Sequence, residues 1–150
     1  YSLRRGDALL ALGRTQWAVL GTEKKLMQFA QTGFPADFPF SDHTGITDRP
    51  TRFADDLTQA ELVRGYTVRP TDIDFGRHMN NVAYVRVLLD CFSAAELASG
   101  RIASMEVHYA APCLEGEELG VYCRREESGC RLAIKKADGK AAVLAAVKLR

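Results

Sequence analysis

A surplus of charge is missing from this sequence. The 150 residues carry 20 Lys and Arg against 19 Asp and Glu, a formal net charge of +1 at pH 7. Those charges are scattered, which argues against a nucleic-acid-binding surface or an acidic tail. Long apolar runs are missing too. None approaches the roughly 20 residues that a membrane span requires, so no membrane span is expected. No signal-peptide pattern is visible, and the first residue is Tyr1, so the chain reads as a fragment or a processed product. Cysteine is sparse. Cys91, Cys113, Cys123 and Cys130 stand singly, with no C-x-x-C pair to suggest zinc or dithiol redox chemistry. Spread through apolar stretches, they read as buried reduced thiols, which favours a cytoplasmic location.

What is present is a succession of short patterned segments. Ala8 to Leu20 carries an apolar run followed by alternation. Gly21 to Lys25 reads as a turn, and Leu26 to Gln31 as a returning strand. Such a hairpin is marginal alone and must pack on something. Residues 33–58 hold three of the five prolines and read as an irregular linker, with His43 a surface loop residue. Glu61 to Pro70 alternates as a strand that Pro70 ends. Val82 to Phe92 is apolar except at Arg86 and Asp90, which predicts a helix wrapped on most sides. Ser93 to Glu96 has the capping-box pattern for a second short helix, closed by Ser99-Gly100. Four strand-like runs follow: Ile102 to Ala111, Leu119 to Arg125, Cys130 to Lys136 and Ala141 to Leu149. An Asp-Gly turn separates the last two. A meander sheet curled around one nearly buried helix is the economical packing, an α+β architecture of the hotdog kind.

Between the first of these strands and the helix lies "TDIDFGRHMNN", Thr71 to Asn81, the densest polar stretch in the chain. Helix capping explains an Asn or Asp directly before a helix, because such side chains accept from the unpaired first-turn N–H groups. Turn formation explains Asp72, and Gly76 could serve a positive φ. Neither accounts for Asp74, His78, Asn80 and Asn81 together. Asp72, Asp74 and His78 are also possible metal ligands. No further cluster stands ready to complete such a site, since His108 lies thirty positions beyond His78, so no metal is expected.

These residues carry a resemblance. "DIDFGRHMNNVAYV" resembles the signature of the acyl-acyl carrier protein (ACP) thioesterases, which contain two hotdog domains in tandem. That signature runs approximately D-x-N-x-H-x-N-N-x-x-Y, and Asp74, His78, Asn80, Asn81 and Tyr84 fall on it. "RRGDALLALGRTQWAVL" resembles the strand pair late in the family's first hotdog domain. "MEVHYAAPCLEGEEL" resembles the strand that follows the catalytic helix. The resemblance implies the closing strands of a truncated first hotdog domain over 1–32, a linker over 33–58, and a second hotdog domain with the catalytic loop over 59–150. It implies hydrolysis of fatty acyl-ACP to free fatty acid and ACP in fatty acid biosynthesis, without cofactor. The family's acyl tunnel is associated with its N-terminal domain, so a truncated chain would bind substrate poorly or pair with another to cover exposed core. Exposed hairpin edges point the same way, to a homodimer.

Two departures bear on mechanism. The family's asparagine two residues after the aspartate is Gly76 here. Its glutamate three residues after the strand tyrosine, a partner in activating water, corresponds to Pro112. Cys113 stands where a cysteine was once favoured as nucleophile in plant relatives, and Glu115 is a nearby substitute base. The expected division of labour gives His78 the thioester carbonyl or a proton, and gives Asp74 the orientation of His78 or of water. N–H groups around His78 to Asn81 would receive the oxyanion. Arg64, Arg69, Arg77 and Arg86 are candidates for a basic patch facing ACP. An acyl-CoA thioesterase, or a degenerate hotdog that binds acyl groups without turning them over, remain the alternatives.

Overall fold

A computed structural model describes residues 1–19, 21–23, 25–35, 37–39, 45–55, 57 and 59–150. His43 lies outside them. The chain divides into two compact units, Tyr1–Arg49 and Pro50–Arg150.

In the first unit the hairpin forms earlier than the alternation suggests. Strand β1 (Ser2–Arg5) pairs antiparallel with β2 (Ala8–Leu12), Arg5 opposite Ala8. The loop between them is the two residues Gly6 and Asp7. Gly6 adopts φ 60°, which a two-residue hairpin turn needs and glycine supplies without strain. Leu26 to Gln31 forms no strand. Phe29–Gln31 is a 3-10 turn, with the Gln31 side chain accepting from the Gln28 N–H at 3.1 Å. A ladder of rings, Phe29 to Phe34 and Phe34 to Phe38, accounts for the turn: centroids 5.1 and 4.8 Å apart reward a compact segment over an extended one.

The second unit follows the sequence closely up to its sheet order. Strand β3 (Glu61–Thr67) leads into helix α1 (Asn81–Leu89) and helix α2 (Ala94–Ala98). Then come β4 (Ile102–Tyr109), β5 (Glu118–Glu126), β6 (Gly129–Lys136) and β7 (Ala141–Leu149). All pairings are antiparallel, in the order β3-β5-β6-β7-β4. Only β5-β6-β7 is a meander. The helices between β3 and β4 cross the sheet, so β4 arrives at the opposite edge from β3.

Helix α1 buries Ala83, Tyr84, Val87 and Leu88, one face at spacings of one and four residues, against Val121, Leu132, Ile134, Val143 and Val147. Each such aliphatic side chain contributes about 1.5–3 kcal/mol. The helix is less enclosed than its composition predicts, because Val82 shares the outward stripe with Arg86 and is 68% exposed. Ser93 caps α2 with Glu96 as the reciprocal partner, as the capping box requires.

The other sheet face is covered from within the same unit. Phe53, Leu57 and Ala60 pack on Tyr122, Ala133, Ala141 and Leu144. Phe53 also stacks on His108 at 5.8 Å. A sheet with a helix across one face is the hotdog arrangement. All four cysteines are free and buried. No helix among the described residues is long and apolar enough to cross a membrane.

Candidate active site

The polar stretch closes on itself above the start of α1. Its base is Asp72, within a 3-10 turn over Pro70–Asp72 and only 2% exposed. The Asp72 carboxylate accepts from Tyr66 Oη at 2.6 Å, the Arg69 N–H at 2.9 Å and Arg86 Nη2 at 3.3 Å. Burying a carboxylate is costly unless several donors meet it, and here three do. Its carbonyl accepts both the Asn80 N–H and Asn80 Nδ2, at 2.8 and 2.9 Å. Asn80 Oδ1 in turn accepts from the Ala83 N–H at 2.8 Å and caps α1. Asn80 is therefore committed at both ends of its amide to holding the loop on the helix.

Above this base, Ile73 bridges Met79, and the Asp74 N–H donates to the His78 carbonyl at 3.1 Å. The turn between them is tight: the Arg77 N–H returns to the Asp74 carbonyl at 3.0 Å, with Arg77 at φ 60°. Phe75 projects from the tip, fully exposed. The Gly76 N–H donates to Asp74 Oδ1 at 2.8 Å. A Cβ on Gly76 would lie 3.0 Å from Asp74 Oδ1 and 3.1 Å from His78 Nε2, so both side chains crowd this glycine. His78 Nδ1 lies 3.4 Å from the Met79 carbonyl.

His78, Met79, Asn81, Tyr84, Tyr109 and Ala110 to Pro112 line a cleft of about 200 Å³. Its far wall is pinned by Cys113, which is fully buried. The Cys113 N–H donates to Tyr84 Oη at 2.8 Å, and its carbonyl accepts from the Met79 N–H at 2.8 Å. Burial raises the Cys113 thiol above its usual range and does the same to the Tyr84 and Tyr109 phenols. Cys113 lies in the loop after β4, not in a strand. A buried thiol held protonated is a poor nucleophile, which favours attack by water over attack by Cys113. Glu115 sits exposed in the next turn and does not line the cleft. The residue beside this wall is Lys136, whose Nζ donates to the Pro112 carbonyl at 3.0 Å and pairs with Glu117 at 3.0 Å.

One further expectation needs correction. The Met79 and Asn80 N–H groups are spent on Cys113 and Asp72. The oxyanion donors left at the helix start are the first-turn amides of Asn81 and Val82, where the macrodipole also favours negative charge. Of the four candidate basic-patch residues, Arg64 pairs with Asp90, Arg86 with Asp72, and Arg69 lies 5.6 Å over the Tyr66 ring. Arg77 is exposed beside the site. In the sequence Tyr109 served only to place Pro112, and Lys136 was not singled out. Among the described residues no group of three or more His, Cys, Asp or Glu side chains is placed to hold a metal ion.

Residues 55–150 match the model of the acyl-ACP thioesterase C-terminal domain. The chain belongs to the acyl-ACP thioesterase family. Among solved structures it is similar to an acyl-ACP thioesterase from Bacteroides thetaiotaomicron, with TM-score 0.70 and 25% identity over 86% of this chain and 51% of that one. It is also similar in fold to the 12:0-ACP thioesterase from Umbellularia californica, with TM-score 0.61 and 21% identity over 74% of this chain and 44% of that one. A hypothetical protein from Staphylococcus aureus in complex with CoA has the same fold, with TM-score 0.52 and 17% identity over 61% of this chain and 75% of that one. The chain thus spans about half the length of the two acyl-ACP thioesterases, 51% and 44%. No curated protein matches it.

Proposed function

We propose that this chain carries the hydrolytic site of a thioesterase that cleaves fatty acyl-ACP to free fatty acid and ACP. The observation that supports it is that one tight turn holds Asp74 and His78 together, with His78 lining the cleft. The thioester carbonyl enters between His78 and the start of α1. The Asn81 and Val82 amides meet the developing oxyanion, and the helix dipole adds to them. His78 takes a proton from water and returns it to the departing thiolate. Asp74 orients that exchange. Tyr84 and Tyr109 stay protonated, so they shape the cleft and act as donors, not as bases.

A cleft of about 200 Å³ is smaller than the roughly 300–1,000 Å³ of ligand pockets in general. It suits the thioester head, and the acyl chain needs further cover. We read residues 1–32 as the closing part of a preceding hotdog domain, consistent with a likeness to the Bacteroides protein that extends over 86% of this chain.

The test compares the same acyl chain carried by ACP and by CoA, in the wild type and in His78→Ala. We expect faster turnover of the ACP thioester and a fall in kcat of about two to four orders of magnitude in the variant. Undiminished hydrolysis by His78→Ala would sink the assignment, and a preference for CoA would make this an acyl-CoA thioesterase. One observation favours a non-catalytic second reading: the Ala110 to Pro112 wall offers no carboxylate to the cleft. That reading requires acyl-ligand binding by calorimetry with no thiol released.

A further inference from the structure

A second hollow lies on the sheet face away from α1. It has a volume of about 110 Å³, and Arg52, Phe53, Leu57, Arg124, Arg131 and Leu144 help to line it. Phe53, Leu57 and Leu144 belong to the apolar layer that covers this face. Among the described residues that line the hollow, three are arginines and none is acidic. The strand register makes this costly. Arg124 on β5 stands directly opposite Arg131 on β6, and like charges directly opposite each other destabilise a sheet. One carboxylate serves both: Glu126 accepts from Arg124 Nη2 at 3.1 Å and lies 3.6 Å from Arg131 Nε. The two arginine side chains are only 27% and 36% exposed. Arg52 has no ion pair among the described residues, and the nearby Asp55 is engaged by Lys135 at 2.6 Å.

We propose that this hollow binds the carboxylate end of an aliphatic acid. The carboxylate sits among Arg52, Arg124 and Arg131, and the first carbons lie against Phe53, Leu57 and Leu144. A guanidinium matches a carboxylate with two parallel N–H donors, and it carries five donors in all, so Glu126 does not exhaust Arg131. The floor decides between oxyanions. Inorganic phosphate would set its charge against apolar side chains with nothing of its own to bury, whereas an aliphatic acid covers them. The volume sets the length. A cavity of roughly 150 Å³ takes a benzene, so this one takes a carboxylate and roughly three or four carbons. A longer chain must run on outside it. None of these residues lines the cleft at His78, so the site needs no thioester chemistry and stands apart from the thioesterase reading.

Calorimetric titration of the whole chain with butyrate, octanoate and inorganic phosphate tests the site. Both acids should bind at roughly millimolar concentration, since few atoms are recognised. Phosphate should bind at least about tenfold more weakly. Similar affinities for the two acids make the carboxylate and its first carbons the whole ligand; a large gain for octanoate makes it the head of a longer chain. Arg131→Gln should weaken both acids about tenfold or more. It should melt no lower than the wild type, because it relieves the facing charges and gives up only a long ion pair. Arg52→Gln breaks no ion pair among the described residues and should weaken both acids as well. His78→Ala should leave their affinities unchanged. Three results overturn the proposal: no binding of either acid at about ten millimolar, phosphate bound as tightly as the acids, or affinity lost in His78→Ala but kept in both arginine variants. A much lower melting temperature in Arg131→Gln with wild-type affinity in Arg52→Gln overturns it too, since the arginines would then serve the sheet and not a ligand.

Discussion

At the scale of single residues, the side chains that draw attention by type and those that carry the geometry are not the same set. Cys113 is the instructive case. Its thiol is buried and pushed up by burial, while its backbone ties Met79 to Tyr84. Alanine keeps both backbone bonds. We expect Cys113→Ala to retain kcat within about threefold, at a cost of about 1–2 kcal/mol for the small cavity. Steady-state kinetics and urea melts would check this, and a hundredfold loss of kcat would restore Cys113 as a nucleophile. Asp74 and His78, by contrast, stand in one tight turn, which brings residues four apart together whatever the rest of the fold does. The full use of Asn80 was not legible: whether an amide caps, supports or reacts depends on which acceptor stands within 3 Å.

At the scale of elements, the connection from β3 to α1 is held by one buried carboxylate. Asp72 joins the end of β3 through Tyr66, the 3-10 turn through Arg69, and the outward face of α1 through Arg86. Asn in its place keeps the shape but turns one acceptor into a donor facing donors. We expect Asp72→Asn to lower stability by about 2–3 kcal/mol, since hydrogen bonds to a charged group are each worth about 1.5–3 kcal/mol. A urea midpoint equal to that of the wild type would show that the carboxylate is dispensable. The sequence marked Asp72 as a turn former, which it is, but its burial comes from Tyr66 and Arg86 and cannot be read locally. Most elements of the second unit were legible because apolar periodicity and caps are local: α1, α2 and β4 to β7 lie within a few residues of their expected spans. The first hairpin was misplaced because the Gly6-Asp7 turn signal was passed over in favour of longer alternation.

For the whole molecule, burial of neutral acids makes stability depend on alkaline pH. Burial raises the Cys91 thiol from 9.0 to about 11, and raises Cys113 and the Tyr84 phenol as well. Above about pH 9 the unfolded chain loses these protons while the folded one keeps them. The folded state then binds more protons, so stability falls as pH rises. The contribution is whole below the unfolded values and is lost as pH climbs through the folded ones. Cys123 and Cys130 share a hydrogen bond that lowers the first to about 7 and raises the second, so Cys130 joins the loss above about pH 9 while Cys123 acts only below it. Urea midpoints should drop between about pH 9 and 10.5; a constant midpoint over that interval would mean that these groups ionise freely in the fold.

By itself the sequence determined what local chemistry determines: strands by alternation, helix starts by caps, and an aspartate and a histidine held four residues apart in one turn. It also carried the family, since a loop motif survives as a string of residue types. Only the tertiary structure decided how those parts are used. Sheet order depends on which way the helices cross, so β4 reached the far edge instead of extending a meander. Amides at the head of α1 are free or spent according to what lies opposite, and Cys113 and Asp72 spend two of them. Gly76 changes most: in the sequence it is the loss of a side chain, and in space a Cβ there would crowd both Asp74 and His78.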